Sequence, residues 1–173
     1  MVNVPVFTYH GVDCKPESFP GRHLFVSPER FQQQVDALIR FGYTSTTMSR
    51  LAECLCNGSL PGEKIMVLTF DDGFQDNYQH VLPVLASRGW VGCFYVVTQR
   101  VGGIGRWSPK TSAALLSWEQ VKEMHRAGME IGSHTLTHPD LTRLPQEDRW
   151  REISDSRTML EDRLGAPVTS FCY

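Results

Sequence analysis

Short apolar runs alternate with longer amphipathic segments along most of the chain, and this alternation predicts the fold. The clearest run, at positions 65–68, is apolar at every residue and too short for a typical helix, so we interpret it as a strand buried on both faces. Further strands are predicted at 4–9, 43–46, 92–97, 129–133 and 168–173. Because strands and helices alternate at spacings typical of βαβ units, the pattern predicts an α/β fold with a parallel sheet or barrel.

The helices between these strands are marked by capping signals. They are predicted at 27–42, 49–56, 78–88, 117–126 and 145–164. Ser27, Pro28 and Glu29 form a complete helix start, and Ser117 begins a capping-box pattern. Three glycines predict a long mobile loop at 98–116. Four side chains of the last helix are expected to face inward: Trp150, Ile153, Leu160 and Leu164.

Composition and charge narrow the functions open to the chain. With 17 Lys and Arg against 19 Asp and Glu, the formal charge is -2 and the signs are interspersed, which disfavours a nucleic-acid partner. No apolar run approaches the roughly 20 residues that cross a bilayer. Residues 1–12 lack the basic and apolar regions of a signal peptide. The chain as given is therefore expected to be soluble and cytoplasmic, without a membrane span.

Length and cysteine content predict a simple organisation. A chain of 173 residues fits one domain, 1–173, that can bury a core without disulfides. The five cysteines include no C-x-x-C pair, which argues against a disulfide framework and against a thiolate zinc site. Nothing in the sequence favours a particular oligomeric state.

Two adjacent carboxylates, Asp71 and Asp72, follow the central strand and precede Gly73. The carboxyl end of a strand in a parallel sheet is where ligands bind in α/β folds. A divalent cation would offset the repulsion between the two acids and let one bind it while the other stays free as a base. Taken alone, the motif is equally compatible with a solvated turn that begins a helix.

Two histidines, His134 and His138, follow the strand predicted at 129–133. Pro139 and the absence of a glutamate after His134 favour a loop over the helical H-E-x-x-H arrangement of zinc proteases. Two imidazoles and one carboxylate form a three-ligand catalytic site with open positions, which accepts zinc, cobalt or nickel. The histidine pair alone would be compatible with coincidence, but its combination with the paired acids predicts a metal site.

At this point the sequence resembles a known family. The segments TFDDG (69–73) and HTLTH (134–138) resemble the first two motifs of the polysaccharide deacetylases, carbohydrate esterase family 4. The run 116–135 is also similar to that family. The opening YHGV (9–12) is similar to the subgroup with permuted motifs that contains poly-N-acetylglucosamine de-N-acetylases. The resemblance covers nearly the whole chain and implies a distorted (β/α)7 TIM-like barrel.

Carried over position by position, the resemblance implies a role for each candidate residue. Asp72, His134 and His138 would bind a divalent metal, most typically Zn2+, with Co2+ or Ni2+ as alternatives. Asp71 would be the general base, and His10 of the YH motif the general acid. A purely structural His10, hydrogen-bonded to backbone, remains an alternative. The Thr135 hydroxyl would support the site.

The implied activity is removal of N-acetyl groups from N-acetylglucosamine units of an exopolysaccharide or cell-wall glycan by metal-activated water. The segment FCY (171–173) resembles only the beginning of the third family motif. The resemblance therefore implies a single catalytic domain that is truncated there, with the barrel incomplete at its C-terminus. Two alternatives remain open: a hydrolase of small or cyclic amides on the same scaffold, and a catalytically inactive glycan-binding fragment.

Overall fold

The computed structural model describes residues 3–15, 18–59, 62–108 and 111–173. The strands in these ranges are β1 (Val6–Tyr9), β2 (Gly11–Val12), β3 (Phe25–Val26), β4 (Thr44–Thr46), β5 (Ile65–Phe70), β6 (Cys93–Val96), β7 (Ile104–Ser108), β8 (Thr111–Ala114) and β9 (Glu130–Ser133). The α-helices are α1 (Pro28–Arg40), α2 (Met48–Cys56), α3 (Leu82–Ala86), α4 (Trp118–Arg126) and α5 (Gln146–Leu164). A π-helical turn, Asn77–Val81, leads into α3.

A five-stranded parallel sheet organises the molecule. Its order is β1-β5-β6-β9, with β4 beside the first half of β5. The register places Tyr9 beside Phe70 and Val96 beside Ser133. The carboxyl ends of β1, β5, β6 and β9 therefore meet along one edge of the sheet. The predicted parallel α/β fold is confirmed.

Local sequence signals explain the main elements. Strand β5 is buried at all six positions, as its continuous apolar run predicts. Helix α1 begins after Ser27, whose side chain accepts a hydrogen bond from the Arg30 N–H at 3.3 Å. Helix α4 begins with the predicted capping box, in which Ser117 and Gln120 bond to each other's backbone N–H groups.

The main core lies between the sheet and the helices and reaches the edge where the strands end. The ring of Phe70 is stacked between the rings of Tyr9 and Phe94, with centroids 5.3 and 4.7 Å away. Because Phe70 is fully buried and directly precedes Asp71, this stack holds the end of β5 in place.

Two predictions about local structure are wrong. The segment predicted as a loop contains an antiparallel hairpin of β7 and β8, because Gly102 and Gly103 precede β7 and Gly105 pairs with Ala113 within the hairpin. The side chain of Trp150 is exposed, at 68%. The buried positions of α5 include Ser156 and Leu160, and Trp150 lies about 120° from Ser156 around the helix at 3.6 residues per turn.

The five parallel strands do not close into a barrel within the described residues. Strand β1 lies at one edge, where Val6 and Phe7 are partly exposed. At the other edge, Phe171 forms an isolated parallel bridge with Ser133, so the strand predicted at 168–173 begins to pair with β9. None of the described helices has the length and apolar character required to cross a bilayer.

Candidate metal centre

The turn after β5 brings Asp71 and Asp72 into the interior. The Asp71 N–H donates to the Tyr9 carbonyl at 2.9 Å, which continues the pairing of β1 with β5. The chain then takes a left-handed conformation at both Asp72 (φ 73°) and Gly73 (φ 71°). Both carboxylates are buried, at 8% and 4% exposure. Gly73 allows this turn at no steric cost, but Asp72 itself also adopts the strained conformation.

The loop after β9 carries the two histidines. The His134 N–H donates to the Val96 carbonyl at 3.0 Å, so His134 is fixed at the end of the sheet. Thr135 and His138 have positive φ angles of 68° and 62°. The Thr135 hydroxyl accepts a hydrogen bond from the His138 N–H at 2.9 Å, which is how this hydroxyl supports the loop.

Backbone strain is concentrated at this site. Among the described residues, the non-glycine positions with positive φ are Asp72, Thr135 and His138. The left-handed conformation costs roughly 1–2 kcal/mol for a residue with a Cβ atom, and a β-branched threonine there is an outlier. Such strain persists where the surrounding structure enforces it, typically at functional sites.

Asp72, His134 and His138 converge in space. Asp72 Oδ1 lies 3.4 Å from His134 Nε2 and 3.3 Å from His138 Nε2. The three candidate ligand atoms all lie within 4.8 Å of one another. Two ligand atoms bonded tetrahedrally to zinc at about 2.0 Å lie about 3.3 Å apart. The donor set and its spacing therefore fit a divalent cation, with carboxylate and imidazole ligands that suit zinc and neighbouring transition metals.

A backbone contact selects the free nitrogen of His134. Its Nδ1–H donates to the Cys172 carbonyl at 2.9 Å, so Nε2 is the nitrogen that faces Asp72. This arrangement is typical of metal-binding histidines, because the second hydrogen bond fixes both the tautomer and the orientation of the ring.

Electrostatics couple Asp72 to the imidazoles. Burial opposes ionisation of Asp72, but its hydrogen bonds with His134 and His138 hold the pKa of this carboxyl well below its usual range. Burial likewise opposes protonation of His134, yet its hydrogen bonds with Asp72 and Cys172 raise the pKa of His134 to about 10. The site thus stabilises a negative carboxylate against positive charge, as a cation site requires.

Asp71 lies beside this cluster in a different environment. Its Oδ1 atom is buried and has no hydrogen-bond partner among the described residues. Burial raises the pKa of Asp71, while the charges of His134 and His10 act in the opposite direction. A buried carboxyl group that has a raised pKa and one oxygen without a partner is suited to accept a proton from a reacting group.

His10 follows β1 at the same edge of the sheet, near enough for its charge to act on Asp71. Its carbonyl accepts a hydrogen bond from Asn77 Nδ2 at 3.0 Å, and two residues on, the Val12 N–H donates to Asp76 Oδ1 at 2.9 Å. Within the described part of the chain, the His10 bond runs through its backbone and leaves the imidazole unbonded. The side chain lines a cleft of about 300 Å³ together with His23.

Sequence reasoning missed several residues that shape the site. Asp76 and Asn77 anchor the segment that carries His10, and their position four and five residues beyond Asp72 is a signal that could have identified them. Glu152 and Arg100 both bind the histidine loop. Neither gave a local signal, because each reaches the loop through tertiary packing.

A larger groove, about 720 Å³, lies away from these residues. Its lining comes from α2 and from positions 169–171, with Met48, Tyr95 and Phe171 among its apolar side chains. None of the predicted site residues lines it. The chemistry-bearing residues therefore lie at the sheet edge rather than in this groove.

The chain is similar to known deacetylases in sequence. The polysaccharide deacetylase family model matches residues 59–173. The YxkH protein of Bacillus subtilis (strain 168) is 28% identical over 170 residues, which are 98% of this chain and 56% of YxkH. The poly-beta-1,6-N-acetyl-D-glucosamine N-deacetylase of Escherichia coli (strain K12) is 29% identical over 135 residues, or 74% of this chain and 20% of that protein. The chain thus spans 56% or less of the length of these relatives.

Solved structures show the same fold. The deacetylase PplD of Streptococcus pyogenes, determined in complex with acetate, matches with a TM-score of 0.85 and 28% identity over 98% of this chain and 73% of PplD. IcaB from Ammonifex degensii matches with a TM-score of 0.81 and 28% identity over 97% of this chain and 72% of IcaB. The expected family resemblance and its α/β architecture are confirmed. With residues 59–173 matched by the family model and nearly the whole chain covered by these structures, the chain belongs to the polysaccharide deacetylase family.

Proposed function

We propose that this chain is a metal-dependent hydrolase that removes N-acetyl groups from N-acetylglucosamine units of an exopolysaccharide or cell-wall glycan. Family membership supports the reaction class. The name of the E. coli relative, an N-deacetylase of poly-beta-1,6-N-acetyl-D-glucosamine, supports the sugar. The metal is assigned to Asp72, His134 and His138, with zinc the first candidate and cobalt or nickel as alternatives.

The single observation that carries the proposal is convergence. Five residues from three separate segments meet at one edge of the sheet: His10, Asp71, Asp72, His134 and His138. Residues of motifs that occur by coincidence are not expected to lie close together in the fold. Hydrolysis of an amide, in contrast, needs a base, an acid and a cation in one place.

Each residue has a defined task in amide hydrolysis. Asp72, His134 and His138 would hold a divalent cation, which would lower the pKa of water and polarise a carbonyl oxygen. Asp71 takes the proton from the attacking water as the new carbon–oxygen bond forms. His10 gives a proton to the amide nitrogen as the carbon–nitrogen bond breaks, which releases acetate and leaves an amine on the sugar.

The environment of these groups matches their tasks. Asp71 Oδ1 has no competing hydrogen-bond donor among the described residues, so it is available to water. His10 borders a cleft of about 300 Å³ beside the end of β1. The proposed acid and base thus follow neighbouring strands, β1 and β5, at the same edge of the sheet.

The test is acetate release from N-acetylglucosamine oligomers by metal-stripped protein that is then titrated with zinc or cobalt. We expect activity to return with metal and to fall by at least about 1,000-fold in Asp71→Asn, which keeps the size of the side chain and removes its basicity. Asp162→Asn is the matched control, since Asp162 is an exposed acid on α5. Full activity in Asp71→Asn, or activity that is unaffected by metal removal, would contradict the proposal.

A further inference from the structure

Thr137, the residue before His138, is held at all of its polar atoms. Its N–H and its hydroxyl donate to the two carboxylate oxygens of Glu152, at 2.9 and 2.7 Å. Its carbonyl accepts two hydrogen bonds from the Arg100 guanidinium, at 3.1 and 2.7 Å. The Leu136 N–H also donates to Glu152, at 2.8 Å. Two side chains of opposite charge therefore hold the backbone of one residue of the histidine loop from both sides, as a clamp.

The two histidines differ in how they are supported. His134 directly follows β9, is buried, and has its ring fixed by the Cys172 carbonyl. His138 lies four residues further along the loop, its side chain is 39% exposed, and its backbone is left-handed. The position of His138 Nε2 relative to Asp72 is consequently set by the loop rather than by the sheet.

We propose that Glu152 is a positioning residue for metal binding, which acts by holding the 136–137 backbone so that His138 meets Asp72. The inference rests on the metal site of the proposed function. The Leu136 and Thr137 N–H groups point to the Glu152 carboxylate and not to a neighbouring strand, so this side chain takes the place of a sheet partner. A carboxylate accepts three hydrogen bonds of this kind more strongly than a neutral group does.

The strained backbone makes the clamp necessary. With φ of 68° at Thr135 and 62° at His138, the loop would relax to an ordinary conformation if its other contacts were lost. Relaxation would carry His138 Nε2 away from its 3.3 Å approach to Asp72. Loss of a group that orients a metal ligand typically weakens metal binding by about 10–100-fold.

The experiment compares cobalt binding by the full chain and its variants, followed by the visible absorption of Co2+, without any glycan. We expect Glu152→Ala to bind Co2+ about 10–100-fold more weakly and to show an altered absorption spectrum. Glu152→Gln keeps an oxygen for the two N–H groups and should recover most of the affinity. Glu147→Ala is the matched control, because Glu147 lies on the same helix and, among the described residues, its carboxylate binds only Arg151 at the surface.

A second measurement needs no metal. Hydrogen exchange at the Leu136 and Thr137 amides should become about tenfold faster or more in Glu152→Ala, while the amides of β5 and β9 keep their protection. If Glu152→Ala does not fold, Thr137→Val removes only the hydroxyl bond to Glu152 and should weaken Co2+ binding by about twofold to fivefold.

The inference would be overturned if folded Glu152→Ala bound Co2+ with an affinity within twofold of the parent. If Glu152→Ala does not fold, the same result in Thr137→Val would overturn it. Equal loss in Glu152→Gln and Glu152→Ala would also overturn it, because the geometric role predicts rescue. These outcomes are independent of catalysis. If the parent binds Co2+ but releases no acetate, the proposed function alone is contradicted. If the parent releases acetate normally and Glu152→Ala leaves Co2+ binding unaffected, the inference alone is contradicted.

Discussion

The Nδ1–H of His134 donates to the main-chain carbonyl of Cys172 at 2.9 Å, so residues 38 positions apart fix the tautomer of one candidate metal ligand. This hydrogen bond uses the backbone carbonyl, although the thiol of Cys172 also interacts with His134 and Asp71. Cys172→Ala keeps the carbonyl and should therefore weaken metal binding much less than a variant that ends at Phe171, which should bind Co2+ about 10–100-fold more weakly because the ring loses its partner. Titration of both variants with Co2+ checks this, and equal affinity in the two would contradict the role of the carbonyl.

A pH dependence of stability follows from Asp76. Burial raises the pKa of Asp76 from 3.8 to about 6, against the opposing effects of the Val12 N–H and Lys15. The folded state therefore holds this proton more tightly than the unfolded chain does. The stability that this group contributes is fully present below about pH 4 and is lost as the pH rises through about 6. The total loss is roughly 3 kcal/mol, because the pKa shift is about two units.

Asp76→Asn should remove that dependence, because an amide has the same shape and no ionisation in this range. The free energy of unfolding can be measured with urea at pH 4.5 and at pH 7.5. The loss of stability between these two pH values should be about 2–3 kcal/mol smaller in the variant than in the parent. The exposed Asp162→Asn serves as the control. An unchanged pH slope in Asp76→Asn would show that the buried carboxyl is not the source.

Truncation of two large apolar side chains on α5 should change the free energy of unfolding to very different extents. Leu160 is fully buried, whereas Trp150 is 68% exposed. Leu160→Ala should lower the free energy of unfolding by about 2–5 kcal/mol because it leaves a cavity. Trp150→Ala should change it by less than about 0.5 kcal/mol. Chemical denaturation of both variants measures the difference, and a larger loss for Trp150→Ala would reverse the assignment of the buried face.

Gly132 leaves no room for a side chain two residues before His134. A Cβ atom there would lie 2.4 Å from Cε1 of Tyr95 and 2.7 Å from Oγ of Ser170. Gly132→Ala should therefore destabilise the fold by about 1–3 kcal/mol through overpacking. At Gly62 the nearest heavy atom would be 3.5 Å away, so Gly62→Ala is the matched control and should be tolerated. Thermal unfolding of the two variants provides the comparison.

Much of the fold was predictable because its signals are local. The apolar run of β5, the Ser27 cap and the capping box at Ser117 each act over a few residues, and the structure bears them out. The candidate ligands were predictable for a related reason, since they lie in the loops that follow β5 and β9 and the carboxyl ends of parallel strands share an edge.

What the sequence did not reveal depends on tertiary context. Glu152 lies 15 residues beyond Thr137, on a helix that is polar over most of its surface, so no periodicity marks it. The left-handed backbone conformation at Asp72 and His138 could not be predicted from the sequence either, because that conformation is normally associated with glycine. The hairpin of β7 and β8 was missed because its glycines favoured a loop.

The left-handed residues of the metal site also set a condition for protein design. A side chain at the end of an ordinary strand continues the up-and-down alternation of the sheet, and three such positions would not point at one centre. Asp72 and His138 point at one centre because their backbones turn out of that alternation. Transplanting the three ligands onto another parallel sheet would therefore fail unless the recipient backbone also carried the left-handed turns and the contacts that enforce them.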